Sequence, residues 1–248
     1  MGVLRRTWIG MASEVSWRLP GWPVKLLTAF SQAERGSAYD VLYAVEHTKR
    51  RDLRLRYFRH AMDEARHANI FVRRAQALGG GDRTQAVLTD SAYLGDHGII
   101  DSEALFDRYG EMGFLAFVYV AEADAVEQFK VYLDRDLPDA DTQQHLQKIL
   151  KDERFHVSYS RAALDYYRDK TPKGSVEKAI RKVHLDRFKE RWLRLSLDIG
   201  HVVTSIWMTL MYIVLVGPFR VFARMESGGW QAPRPQLLQG MKAARSQG

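Results

Sequence analysis

Asp63-Glu64-Ala65-Arg66-His67 and Asp152-Glu153-Arg154-Phe155-His156 are the two stretches on which the fold reading turns. Each is an Asp-Glu-x-x-His pattern inside a long run with helical periodicity. Residues three apart share one face of a helix, so Glu64 projects with His67 and Glu153 with His156. A single Glu-x-x-His arises by chance on solvated helices. The same pattern twice, each time preceded by Asp, presents a carboxylate and an imidazole in duplicate. Two neighbouring iron or manganese ions need such a set, because hard carboxylate oxygens and imidazole nitrogens suit both metals.

The runs around these stretches read as helices. The first extends from about Leu26 to Lys49, with apolar or small residues at Ala33, Ala38, Val41, Leu42 and Val45. The second, from about Asp52 to Leu78, carries the first motif and ends at Gly79-Gly80-Gly81-Asp82. Residues 82–101 form a connection of weak structure, long enough to cross from one end of a bundle to the other. Asp101-Ser102-Glu103 reads as the start of a third helix, which runs through the apolar Phe114–Ala121 to about Asp136. A turn at Pro138-Asp139 leads to a fourth helix, about Ala140 to Asp169, which carries the second motif and breaks at Thr171-Pro172-Lys173-Gly174.

A two-ion site also needs carboxylates from the other two helices. In an antiparallel pair joined by a short turn, residues equidistant from the turn lie level. The midpoint of Glu34 and Glu64 is Lys49, in the first turn, and Glu34 sits among the small residues Ala33, Gly36 and Ala38. In the second half Glu122 and Glu127 are both placed near enough to Glu153. The Glu122 midpoint falls between Leu137 and Pro138 and the Glu127 midpoint at Ala140. Glu122, flanked by Ala121 and Ala123 and continuing the apolar face of Leu115 and Val118, is the better choice. Tyr39, Tyr119 and Tyr159 read as ordinary core or half-buried tyrosines. His47, His60, His97, His145 and His184 read as surface residues, and His201 as a polar residue near the end of an apolar stretch.

The set Glu34, Glu64-x-x-His67, Glu122 and Glu153-x-x-His156 resembles the ferritin-like di-iron carboxylate superfamily, over about residues 26–169. It looks like the oxygen-activating branch. That branch includes bacterial multicomponent monooxygenases, the ribonucleotide reductase small subunit, aldehyde-deformylating oxygenase and the demethoxyubiquinone hydroxylases. The resemblance implies an all-α four-helix bundle holding two Fe ions, with Mn as an alternative. It implies Glu64 and Glu153 as bridging ligands, Glu34 and Glu122 as terminal ligands, and one histidine, His67 or His156, on each ion. It also implies that Asp63 bonds His156 and Asp152 bonds His67, each holding its imidazole from behind. The rubrerythrin pattern has a further Glu three residues after the third-helix Glu. Here that position is Ala125, so a peroxidase-type site matches less well.

Composition narrows the function. The chain has 248 residues, 46% hydrophobic and 27% charged, and no Cys, which excludes disulfides, Cys-bound zinc and iron–sulfur clusters. The net charge of +7 suits anionic lipid or an acidic partner, and no nucleic-acid-binding motif accompanies it. Residues 1–25 mix Arg5 and Arg6 with Trp8, Trp17 and Trp22 and read as an amphipathic arm at a membrane interface or, equally, as an N-terminal helix packed on the bundle, with no secretory apolar run. Residues 26–172 are the bundle. Residues 173–221 hold a basic helix (Lys178, Arg181, Lys182, Arg187, Lys189, Arg191, Arg194) and then Ile199–Phe219, 21 residues without Asp, Glu, Lys or Arg. That length suits a bilayer span of about 20 residues, with a dimer interface as the alternative. Residues 222–248 are a Gly-, Pro- and Gln-rich tail.

The expectation is a membrane-associated di-iron oxygenase or hydroxylase, its bundle cytoplasmic, using O2 on a lipid, fatty-acyl or quinone-like substrate. Electrons would come from a separate reductase, since no flavin or iron–sulfur motif is present. A ferroxidase or rubrerythrin-like peroxidase, and a metal-free membrane-anchored helical adaptor, are the competing readings.

Overall fold

A computed structural model describes residues 3–80 and 104–225, and every regular element among them is a helix. In chain order these are α1 (Val3–Arg18), α2 (Trp22–His47), α3 (Arg51–Ala75), a short π-helical turn (Gln76–Gly80), α4 (Leu105–Asp134), α5 (Ala140–Lys170) and α6 (Ser175–Met225). The expected connection at 82–101, the expected helix start at 101–103 and the tail after 225 lie outside the described residues. So does His97.

Local chemistry sets the boundaries. α2 begins earlier than periodicity alone indicates. Gly21 takes a left-handed conformation (φ 75°) and Pro23 stands in the first turn, where its missing N–H costs no helical bond. Thr48 ends α2, and its N–H donates to the Ala44 carbonyl. Its buried hydroxyl then donates to Glu111 and accepts from the Arg50 N–H at 3.1 Å, pinning the turn into α3. Asp139 caps α5 by accepting from the Thr142 N–H at 3.2 Å. Gly174, at φ 86°, turns the chain from α5 into α6.

α2 packs on α3, α4 on α5, α3 on α5 and α2 on α4. Ser31 on α2 donates to the Ala68 carbonyl on α3 at 2.8 Å, which fixes the antiparallel register of that pair. The interior is layered. One apolar cluster takes Val41 and Ala44 from α2, Leu53, Tyr57 and Ala61 from α3, Phe114 to Val120 from α4, and Tyr159 to Leu164 from α5. A second takes Leu27, Phe71, Val126, Phe129, Leu146 and Ile149 from the same four helices. Between them, on each helix, lie buried charged or imidazole residues: Glu64 and His67 on α3, Glu122 on α4, and Glu153 and His156 on α5. The half-buried Glu34 holds the same level on α2.

α1 docks on this body. Trp17 is buried edge-on against Tyr132, with ring centroids 5.5 Å apart, and Glu14 pairs with Arg135 at 2.7 Å. Its Met11, Val15 and Leu19 stay exposed. The basic and apolar stretches expected as two successive helices form one continuous helix, α6, because no strong breaker separates Ser175 from Val216. Val176 and Val183 are buried in the first apolar cluster. The compact unit containing the bundle extends to Asp186, and Arg187–Gly248 forms a second unit. Within that unit Ile199–Val216 has a mean hydropathy of 1.9, and none of it is buried within the chain. It is long and apolar enough to cross a membrane.

Candidate metal centre

α3 contributes three side chains to the polar layer. His60, Glu64 and His67 stand at i, i+4 and i+7, so all three share its inner face. α5 adds Glu153 and His156, α4 adds Glu122, and α2 adds Glu34. His60 Nε2 lies 3.2 Å from both Glu64 Oε1 and Glu122 Oε1. His67 Nδ1 lies 3.1 Å from Glu153 Oε1 and 3.9 Å from Glu64 Oε1. His156 Nδ1 lies 3.3 Å from Glu64 Oε1 and 3.2 Å from Glu153 Oε2. These atoms fall into two overlapping groups that share Glu64. One is His60, Glu64, Glu122 and His156, and the other is Glu34, Glu64, His67 and Glu153. Within each, the ligand atoms lie inside 4.8 Å of one another, so each group could hold a metal ion.

The fit to metal is tested by the alignment of these atoms. Buried polar groups are almost always hydrogen-bonded. His60 Nε2, Glu64 Oε1, His67 Nδ1 and Glu153 Oε1 are buried and close to one another, yet none makes a well-aligned hydrogen bond. Atoms that converge on shared points rather than pairing are arranged as cation ligands are. Four carboxylates match the charge of two divalent ions, and oxygen with imidazole nitrogen suits iron or manganese.

An aspartate stands behind each motif imidazole, hydrogen-bonded to His67 and in ion-pair contact, without a hydrogen bond, with His156. His67 Nε2 faces Asp152 Oδ2 at 3.4 Å and His156 Nε2 faces Asp63 Oδ2 at 3.5 Å, the crossed arrangement in which each Asp serves the other helix's histidine. Arg66, half exposed, donates to Asp63 and, at 3.1 Å, to Asp152, so one guanidinium ties both aspartates together. His60 is held differently, through Nδ1 at 2.6 Å from the Tyr159 hydroxyl, and its ring stacks on His156 with centroids 3.7 Å apart.

Electrostatics divides the carboxylates. Burial, and then Glu64 beside it, pushes Glu34 well up, and burial with Glu153 and Glu64 does the same to Glu122. Burial also acts to raise Glu64, but the polar contacts of Glu34, His156 and His60 hold it well below the usual range. Glu153, against burial and Glu64, is held at about 2 by its hydrogen bond with His156 and its contacts with His67 and Glu122. In each pair, Glu34 with Glu64 and Glu122 with Glu153, the first carboxyl is pushed toward its protonated form and the second toward its ionised form. Burial opposes charge on the histidines, yet Asp63, Glu153 and Glu64 push His156 up to about 12, and Glu153 raises His67. His60 is lowered by burial and by His156.

All six residues expected from the sequence meet in this layer. Glu127, the alternative to Glu122, does not, since it pairs with Lys130 at 3.3 Å on a half-exposed surface. His60 corrects the sequence reading. It is fully buried inside the cluster rather than on the surface, and its i−4 spacing from Glu64 was the signal that a search for Glu-x-x-His passed over. His47 is exposed and stacks on Tyr43, Tyr39 is exposed, and Tyr119 packs at the edge of the first apolar cluster. No family model, curated protein or solved structure matches this chain.

Proposed function

We propose that the protein is a di-iron oxidoreductase of the ferritin-like kind, held at a membrane by Ile199–Val216, that uses O2 to oxidise a hydrophobic substrate. The observation that carries this reading is the buried layer of four glutamates and three histidines between two apolar clusters. Burying so many ionisable groups without a counter-charge opposes folding, so a pair of divalent cations is the natural occupant. Glu34, Glu64, His67, Glu122, Glu153 and His156 would hold the ions, with His60 added to the set. When bound, the two ions supply redox chemistry toward O2.

The chain's own residues do the rest. Asp63 and Asp152 fix the tautomers of His156 and His67, and Arg66 locks both aspartates. Glu34 and Glu122, which burial and their carboxylate neighbours push toward the protonated form, are the groups suited to release a proton at each ion position or take one back. Phe114, Leu115, Val118 and Val120 keep water from the side of Glu122. Electrons arrive from a separate protein.

The test is the oxygen balance. Iron-loaded protein in lipid vesicles, given a chemical reductant, is incubated with a cell lipid extract and the products are identified by mass spectrometry. The oxygenase reading expects O2 uptake in proportion to an oxygenated lipid or quinone product. Uptake that needs only ferrous iron, with no organic product, would instead support iron handling.

A further inference from the structure

Resting on that two-ion reading, we propose that the two cation positions are unequal, that His60 makes them so, and that they fill in order. The position bounded by His60, Glu64, Glu122 and His156 offers two imidazoles and two carboxylates. The position bounded by Glu34, Glu64, His67 and Glu153 offers one imidazole and three carboxylates. Imidazole nitrogen favours the later first-row divalent ions over oxygen-only surroundings. Cobalt(II), as a probe, enters the His60 position first and the Glu34 position second.

Preorganisation favours the same order. All four ligands of the His60 position are buried, whereas Glu34 in the other position is half-buried. His60 and His156 are stacked at 3.7 Å with ring planes 22° apart, so neither ring turns without the other. The hydroxyl of Tyr159, buried behind His60, fixes its tautomer. For Nε2 to present a lone pair to an ion, Nδ1 must carry the hydrogen and donate it to Tyr159 Oη at 2.6 Å. In the metal-free protein the reverse bond serves equally well, with the hydroxyl donating to Nδ1 and Nε2–H facing Glu64 and Glu122 at 3.2 Å. Filling this position therefore fixes the imidazole hydrogen on Nδ1, with the Tyr159 hydroxyl as its acceptor. Tyr159 is a positioning residue for His60. The sequence marks the arrangement as His60-x-x-x-Glu64-x-x-His67, three ligands on one helix face, where the second motif, on α5, supplies two.

The experiment titrates the full-length, metal-free protein in detergent with cobalt(II) under anaerobic conditions. Visible absorption reports each site's geometry and elemental analysis counts the ions. The wild type is expected to bind in two resolved steps. His60→Gln should lose the tighter step and keep one ion. Glu34→Gln should keep the tighter step and weaken the looser one. Tyr159→Phe, which preserves the ring packing, should weaken the tighter step about tenfold at unchanged stoichiometry, and it carries the test if His60→Gln does not fold. Two wild-type ions entering in one unresolved step, with Tyr159→Phe superimposable on the wild type, overturns the ordering and leaves the two-ion reading standing. Absence of any cobalt binding by folded wild-type protein overturns both.

Discussion

Loading the metal-free protein with ferrous or manganous ions should expel protons in a number set by the buried layer. Glu34 and Glu122 are pushed toward their protonated forms beside Glu64 and Glu153, and His67 and His156 are pushed toward the charged form by Glu153, Asp63 and Glu64. His60, pushed down by burial and His156, is neutral and releases nothing. An ion requires ionised carboxylates and neutral imidazoles. Two divalent ions therefore displace protons from these four groups, at most about two per ion. The sign follows. These four groups have raised pKa values without the metal, so protons compete more strongly as pH falls, and each ion's affinity should drop at least about tenfold and at most about a hundredfold per pH unit below neutrality. Calorimetry in two buffers of different ionisation enthalpy, repeated at pH 6 and pH 7, measures both quantities. Fewer than one proton released per ion, or affinity that is flat over that pH interval, would refute the assigned protonation states.

Three further outcomes follow from other parts of the chain. Arg66→Ala, at a half-exposed position, should leave helical content unchanged but weaken metal binding about tenfold, because Asp63 and Asp152 lose the group that ties them; circular dichroism and a metal titration read the two effects separately. Asp40 is raised to about 7 by burial alone. Its proton is held more tightly in the folded than in the unfolded chain, so the folded state loses stability as pH rises from about 4 to 7. Asp40→Asn should therefore stabilise the protein by about 1–2 kcal/mol at pH 8, after allowance for its partial exposure, and by nothing at pH 3, as read by chemical denaturation. Truncation before Ile199 should move the bundle from the membrane pellet to the soluble fraction of a lysate, whereas recovery of the full-length chain as a soluble dimer without detergent would make Ile199–Val216 a subunit interface instead.

Most of the buried layer was legible in the sequence because helical spacing and turn-centred register are local arithmetic. Two Asp-Glu-x-x-His stretches named four of the inward groups. Equal distances from the turns then located Glu34 and Glu122, and the Ser31–Ala68 hydrogen bond reports the α2–α3 register on which the first of these rests. The crossed pairing of Asp63 with His156 and Asp152 with His67 came from a family resemblance and not from spacing, since it joins two helices. His60 was legible in principle, at four residues before Glu64, but a search confined to one spacing passed it over. The role of Arg66 was not legible. Its two aspartates lie 3 residues away on its own helix and 86 away on another, and only packing brings the second within 3.1 Å. The helix expected from about Leu26 starts at Trp22, because Gly21 and Pro23 supply a helix start that apolar periodicity does not mark.

Metal content tests the central claim most directly. Full-length protein, loaded with ferrous iron without oxygen and freed of excess by gel filtration, should carry about two irons per chain. Glu64→Ala should remove both, since that carboxylate belongs to both groups, and Glu122→Ala should remove at least one, while Glu127→Ala keeps both. A folded wild-type protein holding less than one iron or manganese per chain, or a Glu127→Ala variant that loses metal where Glu122→Ala retains it, would contradict the account.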